Sequence, residues 1–158
     1  MHDCEFRFFG QGVRISGCAF SLQRCLFSYN GIGLHVVAYS NGDPTTTLES
    51  QHNYFESCAR GIWVDDLGSG LLSASSINDV FQGCTDCGIY LSKAWRTFTL
   101  INPHFEANKL AVYSYASNMD VVGGHLNVPS AGKAIEVHED QGYPTHRRYP
   151  QGGPGLFD

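Results

Sequence analysis

The chain has 158 residues, a net charge of −5, 18 glycines and 13% aromatic residues, and 16% of it is charged, against a usual ~25%. That composition excludes a coiled coil or long-helix protein, and 42% hydrophobic residues exclude a disordered chain. Without a basic block, the sequence offers no footprint for nucleic acid.

In chain order, four segments repeat one grammar, a Phe, a Cys or Asn three residues on, a bend, a small residue, then apolar-x-apolar, and two weaker copies, at Phe6 and Leu126, have Phe9 and Pro129 at the third position. The first begins at Phe6 and continues through Gly12-Val13-Arg14-Ile15. The second is Phe27-Ser28-Tyr29-Asn30-Gly31-Ile32-Gly33-Leu34. The third is Phe55-Glu56-Ser57-Cys58-Ala59-Arg60-Gly61-Ile62-Trp63-Val64. The fourth is Phe81-Gln82-Gly83-Cys84-Thr85-Asp86-Cys87-Gly88-Ile89-Tyr90-Leu91. The fifth is Phe105-Glu106-Ala107-Asn108-Lys109-Leu110-Ala111-Val112-Tyr113-Ser114. The sixth begins at Leu126 and continues through Ala134-Ile135-Glu136-Val137.

Taking Gly12, Gly31, Gly61, Gly88, Ala111 and Ala134 as the small residues, the intervals run from 19 to 30 residues. Leucine-rich, WD40 and ankyrin patterns do not fit. Period-2 alternation inside each copy predicts strands. One coil of strands per repeat is a parallel β-helix, with like residues stacked from coil to coil. The expected fold is all-β, with about six turns spanning roughly 29 Å at ~4.8 Å per strand. It occupies residues 1–138, and residues 139–158 form a Gly/Pro-rich extended tail.

Alternation places Val13/Ile15, Ile32/Leu34, Ile62/Val64, Ile89/Leu91, Val112/Ser114 and Ile135/Val137 inside, with the Phe column as a second inward ladder. The residues between the inward pairs are Arg14, Gly33, Trp63, Tyr90, Tyr113 and Glu136. Two positions later the outward set is Ser16, His35, Asp65, Ser92, Tyr115 and His138. Trp63, Tyr90 and Tyr113, with Tyr115 and Trp95 near them, form an outward aromatic strip. It reads either as packing under a loop or another subunit or as a platform for sugar rings, whose C–H faces aromatic rings bury.

The outward residue after each Phe or Leu is Arg7, Ser28, Glu56, Gln82, Glu106 and Asn127. Glu56 and Glu106 then lie two strands apart, about 9.6 Å, near the upper end of the ~6.5–9.5 Å between the carboxyl groups of inverting glycosidases. Asp65, beside Trp63, and the adjoining Asp66 are further acid/base candidates, and solvated surface carboxylates account for all of these equally well. His35, Lys93 and Arg96 could supply lyase groups, but nothing fixes their geometry. Cys58 and Cys84 read as small buried hydrophobes, although a disulfide between neighbouring turns is conceivable. Cys84-x-x-Cys87 stands without a second pair, so neither a metal site nor a cofactor is assigned. There is no apolar run of membrane-spanning length and no secretory signal is seen.

The Phe-x-x-[Cys/Asn]…Gly-Ile-x-Val repeats over roughly residues 4–137 resemble the right-handed parallel β-helix of the pectin-lyase-like superfamily. With Asn102-Pro103-His104-Phe105-Glu106-Ala107-Asn108 and the Gly-rich turns, the chain looks most like a bacteriophage tailspike or tail-fibre polysaccharide depolymerase. The resemblance implies a virion-tail module, homotrimeric or joined to other tail subunits. It would bind a bacterial surface polysaccharide and leaves cleavage open, with a hydrolase favoured over a lyase. Trp63, Tyr90, Tyr113, Tyr115 and His35 would hold sugar, and Asp65, Glu56 and Glu106 would be the acid/base set. A non-catalytic structural or receptor-binding module, and a secreted pectin-lyase-like enzyme fragment, remain alternatives. Of the polygalacturonase motifs Asp65-Asp66 is present, Gly124-His125-Leu126 matches in part, and Arg-x-Lys is missing; no convincing calcium ligand set is found. The first repeat lacks an evident cap, so a fragment of a longer protein is expected.

Overall fold

In the computed structural model, residues 1–16, 19–38, 47–66, 73–92, 97–115, 118–127, 129 and 133–138 are described, and their regular structure is entirely β. In chain order the strands are β1 (Glu5–Arg7), β2 (Gln11–Ile15), β3 (Phe20–Gln23), β4 (Leu26–Ser28), β5 (Ile32–Ala38) and β6 (Thr47–Gln51). Next come β7 (Tyr54–Glu56), β8 (Arg60–Asp66), β9 (Ser73–Ile77), β10 (Val80–Gln82), β11 (Cys87–Ser92) and β12 (Thr97–Ile101). The last are β13 (His104–Glu106), β14 (Leu110–Tyr115), β15 (Asn118–Val122), β16 (His125–Asn127) and β17 (Lys133–His138). The expected tail over residues 139–158, and Trp95, Lys93 and Arg96, lie outside the described residues.

Every third strand pairs in parallel. The first sheet is β1-β4-β7-β10-β13-β16, the second β2-β5-β8-β11-β14-β17, and the third β3-β6-β9-β12-β15. This is a parallel β-solenoid. Its centre holds the predicted ladder, in which Phe6, Phe27, Phe55, Phe81 and Phe105 stack with centroids 4.8–5.1 Å apart and planes within 15° of parallel. The spacing equals the strand repeat, so one Phe per coil fills the interior without offset. Fully burying each such ring contributes about 1.5–3 kcal/mol.

The register corrects one predicted strand. In β5 the inward residues are Leu34 and Val36, which pair with Val13/Ile15 on one side and Ile62/Val64 on the other; Ile32 instead pairs with Gln11 and Arg60. The small residue of that coil is therefore Gly33, not Gly31. Steric demand selects it: a Cβ on Gly33 would lie 2.7 Å from Phe55 Cδ1 and 2.7 Å from the Gly61 oxygen. Gly12, Gly61 and Gly88 face Phe27, Phe81 and Phe105 in the same way. Ala111 carries a Cβ in this column, and one strand beyond Phe105 the ladder residue is Leu126 rather than Phe.

The third sheet was not anticipated. Its inward positions include Leu48, Ala74 and Phe98 in one column and Leu22, Ser50, Ser76 and Leu100 in the next. Ser50 and Ser76 break the apolar pattern, but both are fully buried. They serve a polar column at the adjoining corner. Asn53 donates to the Leu22 oxygen (3.1 Å) and to Ser50 Oγ (2.9 Å), and its Oδ1 accepts the Cys25 amide (2.8 Å). Asp79, one coil on, accepts the Asn53 amide (2.8 Å) and Ser76 Oγ (2.7 Å). Burial pushes the Asp79 carboxyl up to about 6, against the pull of these donors.

A second polar column lies where the first sheet turns into the second. Asn30 and Asn108 donate to the Phe6 and Phe81 oxygens at 2.9 and 2.8 Å, and the Cys58 thiol takes the equivalent role toward the Phe27 oxygen at 3.6 Å. Cys58 and Cys84 are free buried thiols, so the conceivable disulfide is not formed. Two of the corners turn on left-handed residues. Arg24, His52, Asn78 and Asn102 take positive φ between the third and first sheets, and Phe8, Tyr29, Ser57, Gly83 and Ala107 do so between the first and second.

Candidate functional site

The outer side of the second sheet carries the aromatic row. Pairing puts Arg14, His35, Trp63, Tyr90, Tyr113 and Glu136 side by side on consecutive strands. His35 was expected in the neighbouring row with Asp65; the two-residue shift of β5 moves it beside Trp63 and puts Val37 next to Asp65. Ser92 pairs with Asp65 on the far side, its Oγ donating to Asp65 Oδ1 at 2.8 Å. Tyr115 pairs with His138 further along.

The rings spend much of their face area on one another. Tyr90 and Tyr113 stack at 4.8 Å with planes 3° apart, and His35 stacks on Trp63 at 4.5 Å. Trp63 meets Tyr90 edge-on at 80°. The Arg60 guanidinium lies 4.7 Å from the Trp63 centroid and 4.0 Å from that of Tyr90, a double cation–π contact. Arg60 Nε also donates to Asp86 Oδ2 at 2.7 Å. Both nitrogens of His35, and Nε1 of Trp63, are buried without a hydrogen-bond partner among the described residues. Burial lowers the His35 pKa from its ordinary value, Arg14 and Arg60 lower it further, and Asp65 opposes them.

The first sheet carries the carboxylate row on its outer side. Ser28, Glu56, Gln82, Glu106 and Asn127 occupy matching positions on consecutive strands. Glu56 and Glu106 are two strands apart, about 9.6 Å, with Gln82 between them. The Tyr54 hydroxyl donates to Gln82 Oε1, and Gln82 Nε2 donates to Glu106 Oε2 at 3.3 Å. His104 Nε2 lies 3.6 Å from the same Glu106 oxygen. Burial raises the Tyr54 pKa first, and the charges of Glu56 and Glu106 add to it.

Glu56 and Glu106 thus share one face, while Asp65 stands on a different sheet beside His35, Trp63 and Ser92. Sequence reading placed Gln82 in the outward row without a role and overlooked Arg60, Asp86 and Tyr54. Tyr54 and Gln82 had a usable signal, since both lie at outward period-2 positions around the Phe ladder. Arg60 and Asp86 had none, because they meet only across neighbouring coils. Among the described residues, no cluster of His, Cys, Asp and Glu has the arrangement of a metal site. Compared with protein-family models, curated proteins and solved structures, the chain matches none.

Proposed function

We propose that the chain is a right-handed coil of six turns, of the phage tailspike kind, that binds a bacterial surface polysaccharide in a virion tail, as a homotrimer or with other tail subunits. The observation that carries the reading is the outer face holding Trp63, Tyr90 and Tyr113 on consecutive strands, with Arg60, Asp86, Asp65 and Ser92 around them. Ring edges and phenol hydroxyls flanked by charged donors and acceptors suit a polyhydroxylated chain. Hydrolysis would fall to Glu56 and Glu106, two strands or about 9.6 Å apart along the sheet, next to the upper end of the ~6.5–9.5 Å of inverting pairs, with the Gln82 side chain between them. Depolymerisation of capsule, lipopolysaccharide and pectin, followed by viscosity, together with glycan binding by the wild type, Trp63→Ala and Tyr90→Ala, tests this reading. Unchanged sugar binding in both variants would remove the aromatic face from it.

A second reading is a structural or receptor-binding module without catalysis. It is favoured by the ring faces of the aromatic row, which are spent on one another and on the Arg60 guanidinium. Light scattering of the intact chain tests the assembly: a 17.4 kDa species in dilute solution counts against the trimer.

A further inference from the structure

We propose that a single sugar ring seats on the free face of Tyr29, at the outer corner between the first and second sheets. The proposal rests on the polysaccharide reading above and adds a place and an orientation for one sugar unit.

Tyr29 is 52% exposed and Phe8 75% exposed, though both are large apolar side chains. Their rings stack at 5.3 Å, 10° from parallel. Both take positive φ, at 57° and 60°, a conformation that bulky residues rarely adopt. The ladder stops there, because the residues at the same corner of the next three coils are Ser57, Gly83 and Ala107. The face of Tyr29 turned away from Phe8 has no ring partner among the described residues. The space beyond is open: a Cβ on Gly83 would meet only Ser57 Oγ, at 3.6 Å.

A pyranose is about as thick as one strand spacing, ~4.8 Å. At the level of Ser57 it continues the Phe8–Tyr29 stack as a third member, with its C–H face on the phenol ring. Polar groups stand beside that level. Glu56 directly precedes Ser57, and Gln82 and Glu106 follow in the same row. The corner therefore offers an apolar wall with Glu56 one coil on and the rest of the polar row beyond it. It sets this one sugar unit across the solenoid corner, beside Glu56, and leaves the second sheet to other units of the same chain.

The test is binding of the full chain to an array of capsular and O-chain oligosaccharides, with thermal melts to confirm folding. Tyr29→Ala, and Ser57→Tyr, which fills the open level with a ring of its own, are each expected to weaken binding about tenfold. Tyr29→Phe is expected to keep it. Wild-type affinity in Tyr29→Ala overturns the corner site whatever Trp63→Ala does. Loss of binding in Trp63→Ala alone leaves the polysaccharide reading standing without this site, and a wild-type chain that binds no glycan overturns both. A change of oligomeric state in Tyr29→Ala with unaltered glycan binding also overturns the proposal and makes the corner a protein contact.

Discussion

The imidazole of His35 lies flat on the indole of Trp63, with centroids 4.5 Å apart and planes 16° from parallel. Although it projects from the outer side of the sheet, His35 is only 6% exposed, and neither ring nitrogen has a hydrogen-bond partner among the described residues. An unpaired buried polar atom is costly, and a charged one more so. The stack is therefore held by ring contact and carries a polar penalty that a hydrocarbon ring would not.

His35→Phe is accordingly expected to stabilise the fold by about 1 kcal/mol, raising Tm by roughly 2–4 °C. The effect should grow in mild acid. The folded imidazole has a pKa below the ordinary 6.5, so below that pH the unfolded chain binds more protons and wild-type stability falls as pH drops toward the folded value. Denaturant titrations of both proteins from pH 7.5 to 5 check this; a pH slope that persists unchanged in His35→Phe rejects the assignment.

Asp79 has the opposite linkage. Its folded pKa is raised from 3.8 to about 6, so the native state binds more protons between those values. Its contribution to stability is greatest below about pH 4 and is lost as pH rises through 6. Asn53, in the preceding coil, shows that an amide fits this column, since its Nδ2 donates to the Leu22 oxygen. The corresponding oxygen for residue 79 belongs to Ser50, which pairs with Leu22. Asp79→Asn should therefore stabilise the protein at pH 7 by roughly 1–3 kcal/mol, with the gain vanishing near pH 4. A destabilised Asp79→Asn at pH 7 would show that the carboxylate's bonds to Ser76 and the Asn53 amide outweigh its desolvation.

Two of the three sheets were legible because their inward residues announce themselves. Phe recurs at every coil of the first sheet through Phe105, and apolar-x-apolar pairs mark the second. The third stayed hidden because Ala74, Ser50 and Ser76 sit where bulky apolar residues would be expected, and the two buried serines are satisfied by Asn53 and Asp79. The slip at β5 has a similar cause. Ile32-Gly33-Leu34 and Leu34-His35-Val36 both read as apolar-x-apolar, and only the ring of Phe55 against Gly33, from the next coil, decides between them. The outward rows inherited that slip, which is why His35 was separated from Trp63. Arg60 over Trp63 and Tyr90, and Tyr29 on Phe8, are contacts between coils, whose partners no local spacing identifies.

The glycine column gives a steric prediction. A Cβ at Gly61 would lie 2.6 Å from both the Gly88 oxygen and Phe81 Cδ1, whereas one at Gly10 meets nothing within 4 Å. Gly61→Ala should cost about 1–3 kcal/mol through overpacking of backbone and ladder, and Gly10→Ala should stay within about 0.5 kcal/mol. Equal melting temperatures for the two variants would contradict the close approach of the Phe column to the second sheet.

The separation of the carboxylates across two sheets sorts their roles. Glu56 and Glu106 line one face with Gln82 and Tyr54 between and beside them, while Asp65 accepts a hydrogen bond from Ser92 on another. If the chain cleaves polysaccharide, Glu56→Gln and Glu106→Gln should each lower kcat by about 10²–10⁴, and Asp65→Asn should leave kcat near wild type while weakening substrate binding. Gln82→Ala removes the amide that Glu106 accepts and the oxygen that Tyr54 donates to, so it should lower kcat less than loss of either glutamate. Rates measured on one polysaccharide with all four variants decide the matter: a collapse of kcat in Asp65→Asn, with Glu56→Gln and Glu106→Gln fully active, would move the chemistry to the second sheet, beside His35 and Trp63.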